Sequence, residues 1–319
     1  MPGRQRYAAL SGVAALNKPI INMAASVHQR LLNLARKRRE DFGLVLTKYG
    51  LERVLYRIAQ SKHREAFVLK GALLFELWTE QRYRPTRDAD FLARGENSPE
   101  RFVTIFKEVC ETDVEDDGLR FDAGTVTAER ISEDGDYKGV RVKFVGYLEN
   151  ARIPIQIDLG FGDVITPAPI KTKIPSLLDL PSPESLTYPR ESVVAEKFEA
   201  MVSLGLANSR MKDFFDLRSL CREFPFEGTS LSEAIKRTFA RRETPLPSGT
   251  PLMFTAEFFG DVGKKKQWAA FCNKNRNYIP EASLESVCQE IATFLMPLVK
   301  ALNGNAARPK KWSDGSWGD

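Results

Sequence analysis

The sequence predicts an α+β fold, with a mixed β-sheet set between N-terminal helices and a helical C-terminal half. Three observations carry this. Apolar residues recur at helical spacing before residue 60 and again beyond Glu191; the stretch from about 119 to 160 alternates as strands do; and Phe67-Val68-Leu69 is a short apolar strand closed by a glycine turn.

Ser26 reads as the N-cap of a first helix bearing Val27, Leu31 and Leu34. Residues 1–25 before it carry basic residues and an apolar patch broken by Ser11 and Gly12. With no cleavage site, they read as a poorly ordered leader rather than a signal peptide. A second helix carries Leu51, Val54, Leu55 and Ile58, and the strand at Phe67 then ends in Lys70-Gly71 before a helical run to Glu80. Past Arg84-Pro85, Asp88 to Leu92 reads as a short strand. Ser98-Pro99 marks a helix start, with Phe102, Ile105, Phe106 and Val109 on one face. Val140, Val142 and Phe144 mark one later strand, and Ile153, Ile155, Ile157 and Leu159 another. Six prolines between 162 and 190 suggest an irregular surface connection. Helical patterning runs from Glu191 to about Cys221 and, more loosely, to Leu302. The chain thus divides into a leader (1–25), a core carrying the chemistry (26–190), a helical C-terminal domain (191–302) and a polar, Gly-rich tail expected to be disordered (303–319).

Composition narrows the function. No apolar run approaches the roughly 18 residues a membrane span needs. The four cysteines form no C-x-x-C pair, which argues against zinc or a disulfide scaffold, and favours the cytoplasm. With two histidines, a histidine-rich metal site is excluded and a Ser-His-Asp triad is hard to build. The net charge of +5 is compatible with a nucleic-acid partner, the basicity concentrating at Arg36-Lys37-Arg38-Arg39, Lys264-Lys265-Lys266 and Lys310-Lys311. Walker A, Rossmann and kinase signatures are absent from the sequence.

The most informative segment is Arg84-Pro85-Thr86-Arg87-Asp88-Ala89-Asp90-Phe91. On a strand, Asp88 and Asp90 share one face while Ala89 and Phe91 take the other. Two carboxylates about 7 Å apart repel unless a cation lies between them. A few hard oxygen ligands, with room for waters and phosphates, suit Mg²⁺. The plain alternative is an exposed polar strand end. Asp158 lies opposite Ile153, Ile155, Ile157 and Leu159 on its strand, beside Gln156. If the two strands pair, three carboxylates converge as two-metal phosphoryl chemistry requires; otherwise Asp158 caps the Gly160-Phe161-Gly162 turn.

Phe67-Val68-Leu69-Lys70-Gly71-Ala72 followed by Arg84 to Asp90 resembles the signature of AbiEii/AbiGii-type nucleotidyltransferase toxins, members of the polymerase-β-like superfamily. Similar to that family, too, are Ser26 to Leu32, Gln156 to Asp163, Glu196-Lys197-Phe198-Glu199-Ala200-Met201 and Asn208 to Asp216. The resemblance implies that Asp88 and Asp90 hold Mg²⁺ (or Mn²⁺), with Asp158 as a candidate third carboxylate for a second ion or the acceptor's proton. It implies that Gly71 lets the backbone approach the phosphates of an NTP. Ala72 departs from the family's Gly or Ser, and Thr86 is a local substitute for the lost hydroxyl. Lys197 corresponds to a family lysine that binds triphosphate. Asp213 matches the last acidic position, with Asp216 as its rival, Arg210 on nearly the same face and Ser209 as helix cap. Lys70, Arg84 and Arg87 flank the phosphate region. The implied activity is transfer of NMP from an NTP to RNA, at a tRNA 3′ end, blocking translation until a cognate antitoxin intervenes. The alternatives are an inactive RNA- or protein-binding module, a metal-dependent nuclease and a small-molecule nucleotidyltransferase. Arg141-Val142-Lys143 lacks the acidic residue a nuclease strand would carry, and the basic clusters disfavour a small cationic acceptor.

Overall fold

Asn22, not Ser26, begins the first helix: its side chain accepts from Ala25 N at 3.0 Å, and α1 spans Met23–Arg38. Ser26 is a first-turn residue whose N–H already bonds to Asn22 O. The computed structural model describes residues 22–79, 83–133, 137–279 and 281–318. The expected leader therefore lies almost wholly outside the described residues, and its last three belong to α1.

Helix α2 (Phe42–Gln60) buries Leu51, Val54, Leu55 and Ile58, as their spacing predicts. Strand β1 (Phe67–Lys70) leads through Gly71 into α3 (Leu73–Trp78), and β2 (Ala89–Ala93) follows. Helix α4 (Pro99–Cys110) starts where Ser98-Pro99 places it, the Ser98 hydroxyl accepting from Arg101 N. Three long strands come next: β3 (Arg120–Glu133), β4 (Tyr137–Leu148) and β5 (Ala151–Phe161). Phe67 is fully buried, its ring 5.6 Å from Phe91 and 5.7 Å from Phe106. That aromatic contact ties β1, β2 and α4 together and gives the strand ends above them a rigid base.

The connection over 162–190 is more regular than its prolines suggest. It holds β6 (Ile170–Lys173) and β7 (Glu184–Thr187), and β7 pairs in parallel with β1 through Val68↔Leu186 and Leu69↔Thr187. The prolines flank these strands without interrupting a ladder, which is why both survive. The mixed seven-stranded sheet has the order β3-β4-β5-β2-β1-β7-β6. Its centre matters most for function, because β2 runs parallel to β5 with Asp90 opposite Asp158.

Beyond the sheet come α5 (Arg190–Leu204), α6 (Met211–Glu223), the two-residue strand β8 (Phe226–Glu227), α7 (Gly228–Arg241), α8 (Ala256–Phe259), α9 (Val262–Lys274) and α10 (Leu284–Leu302). Ser209 does not cap α6; Arg210 occupies the cap position without a side-chain bond, and Asn208 Oδ1 instead accepts from Arg210 N. Among the described residues no helix is long and apolar enough to cross a membrane.

The expected disordered tail is instead ordered. Strands β9 (Lys311–Ser313) and β10 (Ser316–Gly318) form a hairpin that joins β8 through Phe226↔Trp312. Asp314 and Gly315 turn it with φ of 52° and 78°, the positive pair that a two-residue Asp-Gly hairpin needs. Trp312 is 2% exposed and donates its indole N–H to Cys221 O at 2.6 Å. Trp317 stacks on Phe294 and donates to Phe294 O. Two tryptophans thus supply the apolar surface that the polar composition around them conceals. Trp312→Ala is expected to cost about 3–5 kcal/mol, read as a lowered midpoint in urea denaturation; an unchanged midpoint would mean the hairpin contributes nothing.

Candidate active site

The polypeptide turns at Gly71 with φ +77°, immediately after β1. A Cβ there would lie 2.0 Å from Asp90 Oδ2 and 2.7 Å from its Cγ. Glycine is therefore required at this turn, because the Asp90 carboxylate packs directly over its backbone. Asp88, two residues earlier, accepts a hydrogen bond from Thr86 Oγ1 at 2.5 Å. Thr86 thus orients a carboxylate, a role the sequence did not suggest.

Asp90 and Asp158 are register partners on parallel strands, and both line a cleft of about 680 Å³ together with Asp88. Burial, reinforced by the negative charge of Asp88, pushes the Asp90 carboxyl from 3.8 up to about 7. Asp158 adds to that push, while Lys212 and Lys70 oppose it. Asp158 does not cap a turn, because β5 continues through Phe161. It is held instead by Arg141 from β4, with Nε 2.8 Å from Oδ1 and a second nitrogen 2.7 Å from Oδ2. The oxygen donors of Asp88 and Asp90, a carboxyl raised by burial and by its neighbour's charge, and a glycine cradle beneath it fit a small, hard cation such as Mg²⁺. Among the described residues no group of three or more His, Cys, Asp or Glu side chains is placed to hold a metal ion. For Asp158 to join, its Arg141 pair has to open.

A second cluster forms where α5 meets α6. Lys197 Nζ lies 2.5 Å from Asp213 Oδ1 and 2.8 Å from Asp216 Oδ2. Arg84 grips Asp216 through two bonds of 2.7 and 2.6 Å, and the Tyr83 hydroxyl adds a third at 2.7 Å. Arg210 Nε reaches Asp213 Oδ2 at 2.8 Å, as their three-residue spacing anticipates. Burial opposes ionisation of Asp216, but Arg84 and Lys197 outweigh it and hold the carboxyl well below the usual range. Burial likewise opposes the charge of Lys197, and Asp213 and Asp216 overcome it, raising the ammonium above the usual lysine value. Asp213 lines the cleft whereas Asp216 is fully buried behind it, so the geometry separates the two rivals.

Of the other expected phosphate contacts, Lys70, Gly71, Thr86, Arg84 and Arg210 line the cleft. Arg87 is exposed and does not line it.

The structure also brings in residues that the sequence did not single out. Lys70 pairs with Asp163 at 3.2 Å and Glu196 at 3.1 Å. Arg242 bonds to Asp163 and to Glu199, which also accepts from Thr244. Arg241 donates to Gly162 O at 2.5 Å. Asp163, Glu196, Glu199 and Lys212 sit inside segments that the resemblance spans. Arg241 and Arg242 carry no such signal, since their partners lie 43 and 79 positions away.

The family described as "Nucleotidyl transferase AbiEii toxin, Type IV TA system" matches residues 53–290. A crystal structure of a proposed nucleotidyltransferase from H. pylori is 13% identical, covering 91% of this chain and 100% of its own at a TM-score of 0.47. JHP933 from Helicobacter pylori is 14% identical, covering 81% of this chain and 97% of its own at a TM-score of 0.43. No curated protein matches the chain.

Two expectations follow from the charges. Because the Asp90 pKa is raised, the stability linked to its proton is fully present below about 3.8 and is lost as pH rises through about 7. The opposite shift of Asp216 acts only as pH falls below the ordinary carboxylate range, outside that window. In chelator, the thermal midpoint relative to Asp90→Asn should therefore fall between about pH 4 and pH 7, with Mg²⁺ restoring it. A pH-independent difference would remove the repulsion argument. Lys197→Ala leaves buried carboxylates short of a cation and should cost about 3 kcal/mol, measured by chemical denaturation. Unchanged stability would show Lys197 free of this cluster.

Proposed function

Because this chain belongs to the AbiEii nucleotidyl transferase toxin family, we propose that it transfers an NMP from an NTP to an RNA 3′ end, that of a tRNA, and thereby stops translation. The observation that carries this reading is the Asp88–Asp90 pair facing a cleft, with Asp90 seated on Gly71 beside Asp158. Asp88 and Asp90 are the residues that would hold Mg²⁺. When bound, that ion offsets charge on the triphosphate and on the departing pyrophosphate.

The remaining work falls to the chain itself. Thr86 fixes the rotamer of Asp88, and Gly71 leaves room for Asp90. Lys197 and Asp213, at the cleft wall, hold α5 and α6 at a set distance from the β2 carboxylates. Such positioning of reacting groups supplies much of the rate enhancement in phosphoryl transfer, where little covalent chemistry is left to the protein. Asp158 is placed to meet the acceptor hydroxyl once Arg141 releases it. The core over 26–190 would supply the carboxylates and the helical part over 191–302 the opposing wall. Exposed basic residues at Arg36, Lys37 and Arg39, at Lys265 and Lys266, and at Lys310 and Lys311 support a polyanionic acceptor. Lys264 is not among them, because its ammonium is buried against Asn208 O. A cognate antitoxin and a cytoplasmic site of action complete the proposal.

The test is incubation of purified protein with each labelled NTP, Mg²⁺ and total tRNA, beside Asp88→Ala. Label should enter tRNA with the wild type, and the variant should lose on the order of 10²–10³-fold in rate while keeping its thermal midpoint. Intact, unlabelled tRNA would favour an inactive binding module; shortened tRNA would favour a nuclease. Full activity in folded Asp88→Ala would remove the metal-site assignment.

A further inference from the structure

Seven basic residues line the cleft: Lys70, Arg84, Lys197, Arg210, Lys212, Arg241 and Arg242. Six are held by partners already described: carboxylates for Lys70, Arg84, Lys197, Arg210 and Arg242, and a backbone carbonyl for Arg241. Lys212 is exposed and is the one cation of this lining, among the described residues, with neither an ion pair nor a hydrogen bond.

Its placement is nonetheless rigid. Lys212 lies in the first turn of α6, between buried Met211 and Asp213. Lys197 and Arg210 anchor Asp213 on one side of it. Lys264 bonds to the carbonyl of Asn208, and Asn208 braces Arg210 N, so the loop before the helix is pinned as well. A free ammonium on a fixed backbone is suited to a ligand that arrives and leaves. It lines the same cleft as Asp88 and Asp90. A triphosphate held at those carboxylates would therefore share the cleft with this ammonium.

Building on the nucleotidyl-transfer reading, we propose that Lys212 grips the β- and γ-phosphates of the donor NTP. Lys197, by contrast, acts as a positioning residue because its ammonium is held between Asp213 and Asp216. A lysine suits this task, since its point charge can follow a polyphosphate without demanding a fixed fork geometry. The triphosphate is favoured over acceptor RNA because Lys212 lines the cleft of Asp88 and Asp90, whereas the basic clusters on the outer surface do not.

The experiment is calorimetric titration of the full chain and its Lys212→Ala and Lys212→Arg variants with inorganic tripolyphosphate in Mg²⁺, and separately with tRNA. Lys212→Ala should weaken tripolyphosphate binding about ten- to a hundredfold, raise the NTP KM by a similar factor and keep its thermal midpoint. Lys212→Arg should recover most of the binding, and tRNA affinity should not change. Wild-type tripolyphosphate binding by Lys212→Ala overturns the proposal. So does a loss confined to tRNA, which would make Lys212 an acceptor contact. Wild-type protein that binds no tripolyphosphate and incorporates no label would instead overturn the transfer reading on which the proposal stands.

Discussion

Lys197 and Arg84 carry two positive charges to the buried carboxylates of Asp213 and Asp216, and through them α5 and α6 are joined to the segment leading into β2. Burying charges is costly, and the attraction offsets that cost when every lone pair has a donor. Here the Tyr83 hydroxyl completes the donors around Asp216, and Arg210 adds an ion pair to Asp213. The consequence is positional. Asp88 and Asp90 sit at the end of the segment that Arg84 anchors, so the cluster sets the width of the cleft that these carboxylates face.

Within the cleft the opposite condition holds. Asp90 has a glycine turn beneath it, Asp158 beside it and Asp88 close by, and its carboxyl is driven up towards neutrality. The contrast between Asp216, saturated with donors, and Asp90, whose carboxyl is raised, separates a carboxylate that holds the fold from the one on which the proposed metal site rests. Arg141 applies the same logic to Asp158: a guanidinium on the adjacent strand relieves repulsion that two parallel strands would otherwise impose. The cleft is therefore a graded electrostatic environment, and Lys212 is the part of it left open to exchange.

Much of the fold was legible in local pattern. Ser98-Pro99 located α4, the alternation of Ile153 to Leu159 located β5, and the strand expected over Asp88 to Leu92 forms one residue later, with Asp88 in the bend before it. The failures have physical causes. Proline frequency over 162–190 hid β6 and β7, because proline excludes a strand only where its missing N–H is needed. Averaged polarity hid the C-terminal hairpin, although Asp314-Gly315 between Trp312 and Trp317 was a strong turn signal. The ion pairs of Lys197 with Asp213 and Asp216 were not legible, because helical periodicity locates a residue on its own helix and does not identify what packs against it.

The sequence by itself determined the residue types and their local spacing: an Asp-x-Asp leading into one strand, a third aspartate on another, and a glycine positioned to turn. Those properties depend on neighbours a few positions away. The tertiary structure decided the partners. Arg84 meets Asp216 across 132 positions, Lys70 meets Glu196 across 126, and Asp90 meets Asp158 through a parallel pairing that local pattern does not specify. Charge at a site follows from distance and burial, and both are properties of the packed chain. That is why the acidic residues could be named from the sequence, while which of them is neutralised, which has its carboxyl raised and which lysine stays free emerged from the fold.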